Sequence, residues 1–191
     1  MKLSHALIRA LIVLSLLPAC GACAFAQSET TALRAIDRLD VQRYLGRWYE
    51  IARYPNKFQS QCVSDASADY ALQPDGRISV LNQCRMSNGE WSRALGVARQ
   101  IGAADSARLK VRFAPERLSL LPWVWGDYWI IDLDASYGLV AVSEPSRQYL
   151  WILSRTPQVP EASYASLLQR LATHGLDTQR LQRTSQALAL N

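Results

Sequence analysis

The chain has 191 residues, 49% of them hydrophobic and 19% charged, with 21 Lys and Arg against 16 Asp and Glu for a formal charge of +5. This is the size and mixture of one globular domain with apolar mass for a sizeable core, which excludes a disordered or low-complexity scaffold. Four cysteines (Cys20, Cys23, Cys62 and Cys84) are too few for a disulfide-only scaffold and form no two pairs across a zinc-ribbon span, so no metal site is expected; basic residues scattered singly give no electrostatic case for nucleic acid.

Residues 1–26 carry Lys2 and Arg9, an apolar run from Ala10 to Leu17, and small residues ending in Ala24-Phe25-Ala26, the order of a secretory signal. The charge-free stretch to Ser28 approaches the length of a membrane span, but Pro18 and Gly21 make its second half a poor one. Two cleavage sites compete. Leu17-Pro18-Ala19-Cys20 resembles a lipobox and would acylate Cys20, leaving Cys23 as an odd thiol. Cleavage before Gln27 removes both cysteines, keeps Cys62 and Cys84 as an even pair, and is the reading favoured here, with 27–191 as the mature domain. Losing Lys2 and Arg9 and no acidic residue leaves +3 of the +5, a mild charge that permits weak attraction to anionic lipid.

Short alternating apolar stretches then follow at a spacing of roughly ten residues, the mark of an all-β sandwich or barrel. Strands are predicted near 47–54, 66–73, 77–83, 90–98, 107–113, 126–133, 138–143 and 148–155. In Arg108-Leu109-Lys110-Val111-Arg112-Phe113 the apolar residues share one face and the three basic residues the other, as in a half-buried strand. Gln73-Pro74-Asp75-Gly76 carries the residues of a hairpin turn. Eight strands suit a closed barrel that holds one small ligand. A helix over about 160–174 starts at Pro160-Glu161, repeats Tyr164, Leu167, Leu168 and Leu171 on one face, stops before Gly175, and should pack outside the barrel. The tail from Leu176 to Thr184 receives no assignment.

Three motifs, in order, carry a family resemblance: Tyr44-Leu45-Gly46-Arg47-Trp48-Tyr49-Glu50, Asp132-Leu133-Asp134 before Tyr137, and Tyr149-Leu150-Trp151-Ile152-Leu153-Ser154-Arg155-Thr156-Pro157. The chain resembles the lipocalin family from about Tyr44 to the end of the helix, most closely the bacterial outer-membrane lipocalins of the Blc type and the plant temperature-induced lipocalins. The resemblance implies an eight-stranded up-and-down antiparallel barrel with one C-terminal helix packed outside, and one lipid-like ligand. It also implies a role in storing or transporting lipid for membrane maintenance under stress. Blc-type members are lipoproteins, and this chain departs from them at Pro18 of the lipobox.

In the resembled fold Gly46, Trp48 and Arg155 form the barrel floor, with the guanidinium across the indole face. Alternation from Arg155 then turns Leu153, Trp151 and Tyr149 inward, and alternation from Trp48 turns Glu50, Ala52 and Tyr54 inward. With Asp132 inward, Tyr128 and Ile130 follow, although Trp129 and Ile131 would serve equally well by composition. Together with Leu109, Val111 and Phe113 these are the candidate ligand-binding residues. Glu50 has two readings, a solvated or Arg-paired floor residue or a polar contact for a lipid head group. The same topology brings Cys62 and Cys84 to the mouth on neighbouring strands, where a disulfide would close a loop of about twenty residues and contribute roughly 3 kcal/mol. Leu118, Leu120, Leu121, Trp123, Val124 and Trp125 crowd a mouth loop that reads either as a lid or as a membrane contact.

The expected function is a non-enzymatic carrier of fatty acids or lysophospholipids in the bacterial periplasm or outer membrane, with the membrane surface as partner and no cofactor. A homodimer could cover the mouth loop. The alternative is an envelope interaction or stress-protection module acting through that loop. Against an enzyme or a haem protein, His5 leaves with the signal and His174 ends the outer helix, so the barrel holds neither a histidine base nor an axial imidazole; a carboxylate-based chemistry at Glu50 is the enzymatic reading that survives.

Overall fold

The computed structural model describes residues 32–187; the expected signal segment, its two candidate cleavage sites and Cys20 lie outside the described residues. The chain enters through a one-turn helix, α1 (Val41–Tyr44), and continues into eight strands: β1 (Gly46–Arg53), β2 (Cys62–Leu72), β3 (Ile78–Met86), β4 (Trp91–Gln100), β5 (Arg108–Arg112), β6 (Gly126–Leu133), β7 (Leu139–Ser143) and β8 (Leu150–Ser154). Each pairs antiparallel with its chain neighbour. β1 pairs with both β8 and β2, which closes an up-and-down barrel. The hairpin at 73–76 forms as expected, with Gly76 in the left-handed region and its amide donating to the Gln73 carbonyl.

Two apolar cores explain why β7 and β8 are apolar on both faces. Val140, Val142, Leu153 and Ile130 join Trp48, Tyr70, Ile78, Val80 and Leu109 inside the barrel. Leu139, Ala141, Leu150 and Ile152 face the other way, onto Tyr164, Leu167 and Leu171 of α2 (Glu161–Thr173), whose one apolar stripe has no other surface to bury against. Arg170 fixes the helix by two hydrogen bonds of 2.7 and 2.9 Å to Asp132. Among the described residues no helix is long and apolar enough to cross a membrane.

Two bulges correct the strict alternation assumed from the sequence. In β1, Glu50 pairs with Leu153 and Ala52 with Ile152, so Ile51 is the extra residue. Ile51 and Ala52 both turn outward, Arg53 turns inward opposite Trp151, and Tyr54 lands in the outer core under α2. Ala52 and Tyr54 are therefore not in the barrel interior; the Tyr54 hydroxyl donates to the Asp177 carbonyl at 2.9 Å. In β6 the same shift at Ile131 sends Asp132 outward to Arg170, while Tyr128 and Ile130, which precede the bulge, keep their inward direction.

A third correction concerns β5. Leu109 and Val111 face the interior as expected, but Arg112 is 2% exposed rather than solvated. Loop 113–125 folds over it, and its guanidinium bonds to the Ala114 carbonyl and the Glu116 carboxylate.

The unassigned tail has a structural place. Gln182–Arg183 forms β9 against Ala52 and Arg53, the Thr184 amide donates to Ile51, and the Asp65 amide donates to Ser185. Direct pairing of β1 with β2 covers only residues 46–49 and 67–70, so the tail fills the seam where the two strands part. A Cys62–Cys84 disulfide, with Cα atoms 5.5 Å apart, ties the start of β2 to β3.

Candidate ligand cavity

The closed end is built from the first and third motifs. Gly46 adopts φ +89°, a conformation that favours glycine, and brings the chain into Trp48, whose indole N–H donates to the Tyr44 carbonyl at 2.8 Å. The Arg155 guanidinium lies 3.9 Å from the Trp48 ring centre and donates to the Arg43, Arg47 and Tyr137 carbonyls. Burial pulls the Arg155 pKa below its usual value. One side chain thus ties α1, β1 and the β6–β7 turn across the floor.

Above this floor is a cavity of about 700 Å³ that opens at the other end. Of the eleven candidates, Glu50, Leu109, Val111, Phe113, Tyr128, Tyr149, Trp151 and Leu153 line it. Ile130 points inward but is packed into the interior core around the floor, and Ala52 and Tyr54 are outside. The Phe113 ring lies over β4 at Gly96, where a Cβ would meet it at 2.7 Å. Cys62 and Cys84 line the wall as well.

Sequence reasoning missed half the wall. Tyr70, Ile78, Val80, Ala94 and Ala98 come from β2, β3 and β4, strands in which no motif anchored the parity, although Ile78 and Val80 alternate visibly. Phe58 and Gln59 come from the β1–β2 connection. The Asn56 side chain accepts from both their amides at 3.1 Å, and the resulting turn lays Phe58 against Tyr149, which in turn stacks on Trp151. This aromatic column runs from wall to rim.

Glu50 is 3% exposed, and both its oxygens are taken. Arg53 donates at 2.5 Å and Thr184 adds a second bond to Oε1; Gln59 donates to Oε2 at 2.6 Å while accepting from the Trp151 indole at 2.8 Å. The carboxylate is thus Arg-paired, and it links the tail to the aromatic column.

The mouth loop divides its apolar residues. Leu118 and Leu121 are half-buried, Val124 lines the cavity, and Trp125 is held between Arg99 and Arg112 with its N–H on the Ser119 carbonyl. Leu120 is 92% exposed, and Trp123, which touches the cavity mouth, is 78% exposed; Phe58 opposite is 60% exposed. The rim is therefore apolar.

Among the described residues, the lining contains Glu50, Asp127 and Glu144 but no Lys, Arg or His. Asp127 is paired with Lys110 at 2.8 Å, and Glu144 accepts from the amides of Ser146, Gln148 and Tyr149.

A closed barrel with a plugged floor, an apolar lumen and an open mouth defines a small-molecule-binding barrel. The chain belongs to the lipocalin family: residues 39–186 match the model of the lipocalin-like domain. It is 41% identical over 162 residues to temperature-induced lipocalin-1 of Arabidopsis thaliana, covering 84% of this chain and 86% of that one. It is 35% identical over 146 residues to the outer membrane lipoprotein Blc of Escherichia coli K12 (76% and 78%) and 33% identical over 158 residues to mouse apolipoprotein D (79% of each). Among solved structures, insecticyanin of the tobacco hornworm Manduca sexta matches with a TM-score of 0.61 at 17% identity, covering 82% of this chain and 86% of that one, a likeness of fold.

Proposed function

We propose that this lipocalin is a non-enzymatic carrier of single-chain amphiphiles, fatty acids or lysophospholipids, in the bacterial periplasm or outer membrane, where it serves membrane maintenance under stress. The observation that carries the reading is the cavity of about 700 Å³, apolar for most of its depth and closed at the floor. An acyl chain inserted there gains about 0.8 kcal/mol per buried methylene, enough over sixteen carbons to exceed the cost of association and leave micromolar binding or better. The carboxylates of the lining and its lack of cations favour a neutral or zwitterionic head over a free carboxylate, hence lysophospholipid over fatty acid. Loading takes place at a membrane surface, with Leu120, Trp123 and Phe58 entering the interface. The likeness to outer membrane lipoproteins supports the envelope, anchored if the signal is cut at Cys20. The sequence offers the barrel no imidazole base, which supports binding over histidine-based catalysis.

The second reading, an envelope interaction module, draws on the exposure of Leu120 and Trp123, which a partner or a second copy could cover equally well. Titrating the delipidated mature chain with lysophosphatidylcholine and with palmitate, following tryptophan fluorescence, separates the two. The carrier gives saturable one-to-one binding, tighter for lysophosphatidylcholine, with a signal that is lost in Trp151→Phe. If neither lipid binds, the interaction module stands instead.

A further inference from the structure

The cavity carries a second polar feature, distant from the rim. Tyr44 at the end of α1, Tyr70 on β2 and Tyr128 on β6 bring their hydroxyls together: the Tyr128 oxygen is 2.8 Å from that of Tyr44 and 2.8 Å from that of Tyr70. All three residues line the cavity, and their surroundings are the interior core of Trp48, Ile78, Val80, Leu109 and Leu153. Tyr44 is 1% exposed and Tyr70 7%. Desolvation is the largest cause raising all three pKa values, that of Tyr70 to about 12, so the phenols are protonated at neutral pH.

A proton count decides what this cluster can do. Three phenols bring three O–H donors, and the two contacts between them consume two. Tyr128 has a single proton and cannot donate to both neighbours. Whichever way the bonds run, one O–H is left over, and none of the three hydroxyls has another hydrogen-bond partner among the described residues. A donor in such a place must find its acceptor in whatever fills the cavity.

Resting on the carrier reading, we propose that the closed end of the cavity is a hydrogen-bonding subsite for an oxygen acceptor on the buried end of the ligand. The ligand class it selects is a long-chain amphiphile with a terminal hydroxyl or carbonyl, in preference to one ending in methyl. The leftover phenol proton donates to that oxygen, and the phenol lone pairs can accept from a ligand hydroxyl. A purely apolar sleeve behaves oppositely, because carrying an unpaired hydroxyl into it lowers affinity by about tenfold or more.

The test compares two probes with the same uncharged head, 1-hexadecanoylglycerol and 1-(16-hydroxyhexadecanoyl)glycerol, titrated into the delipidated full mature chain. The ω-hydroxyl probe is expected to bind at least as tightly as the plain one. In the triple variant Tyr44→Phe, Tyr70→Phe, Tyr128→Phe, which removes all three hydroxyls and keeps the rings, the ratio of ω-hydroxyl to plain affinity should fall about tenfold, whatever the substitutions do to lipid binding in general. A wild-type protein that binds the plain probe but disfavours the ω-hydroxyl probe tenfold overturns the subsite and leaves the carrier intact; this comparison needs no variant. The same ratio of affinities in wild type and a folded triple variant overturns it too. Binding of neither probe overturns the carrier reading and the subsite with it.

Discussion

Removing the carboxylate of Glu50 separates a wall brace from a ligand contact. Glu50 and Arg53 are 4% and 14% exposed at the side chain, and the pair is completed by Gln59 and Thr184. Glu50→Ala leaves the Arg53 guanidinium buried without its counter-charge, a loss of about 3–5 kcal/mol. For a domain of this size that corresponds to a fall in Tm of roughly 6–20 °C, since each kcal/mol shifts Tm by about 2–4 °C. Replacing both members, Glu50→Leu with Arg53→Met, removes charge and counter-charge together and should cost far less than the single change, so the double-mutant cycle reports strong coupling. The tail should respond as well. Thr184 and Gln186 bond to Glu50 and the Asp65 amide donates to Ser185, so hydrogen exchange at the Asp65 and Thr184 amides should accelerate in Glu50→Ala. The assays are urea unfolding, amide exchange, and lysophosphatidylcholine titration at a temperature where every variant is folded. Brace logic requires the affinity of Glu50→Leu with Arg53→Met to stay within about threefold of wild type, about 0.65 kcal/mol. A Glu50→Ala protein as stable as wild type that has lost tenfold in affinity would falsify it and return the carboxylate to the ligand.

Three further outcomes follow from the same structure. Trp48→Ala empties the floor beneath Arg155 and should cost about 3–5 kcal/mol in urea unfolding, whereas Trp48→Phe, which retains a ring for the guanidinium, should cost much less and bind lipid normally; a stable Trp48→Ala that loses ligand would contradict the structural role. Leu120→Ser with Trp123→Ser should weaken binding to anionic vesicles by about a hundredfold or more, at roughly 1.5–3 kcal/mol per side chain withdrawn from the interface, and a change confined to ligand off-rate would mean that the loop is a lid. The three clustered phenols impose an alkaline limit. Their folded pKa values lie above 10, so from pH 10 upward the unfolded chain releases protons that the folded one retains, and stability falls with pH. Each of the three adds at most about 1.4 kcal/mol per pH unit, Tyr70's share fading as the pH passes about 12, and urea unfolding of the triple Phe variant should lack this component.

Much of the architecture is local and therefore legible in the sequence. Alternation in a stretch such as 108–113 is a property of consecutive residues, as is the helical repeat of Tyr164, Leu167 and Leu171. The motif residues Gly46, Trp48 and Arg155 located the floor, and Leu153, Trp151 and Tyr149 follow from Arg155 because β8 has no bulge between them and the floor. Ala52 and Tyr54 went the other way because a bulge belongs to the pairing of two strands, and nothing in Glu50-Ile51-Ala52 distinguishes an extra residue from an ordinary one. Residues 182–187 carry no periodic signal, since their place is set by backbone groups that β1 and β2 leave unpaired where they diverge. The phenol cluster joins residues 44, 70 and 128, and only closure of the barrel brings them within 2.8 Å. Periodicity thus determined that an apolar lumen would form, and tertiary pairing decided which polar atoms would face it, because a hydrogen-bond partner distant in the chain leaves no trace in local spacing.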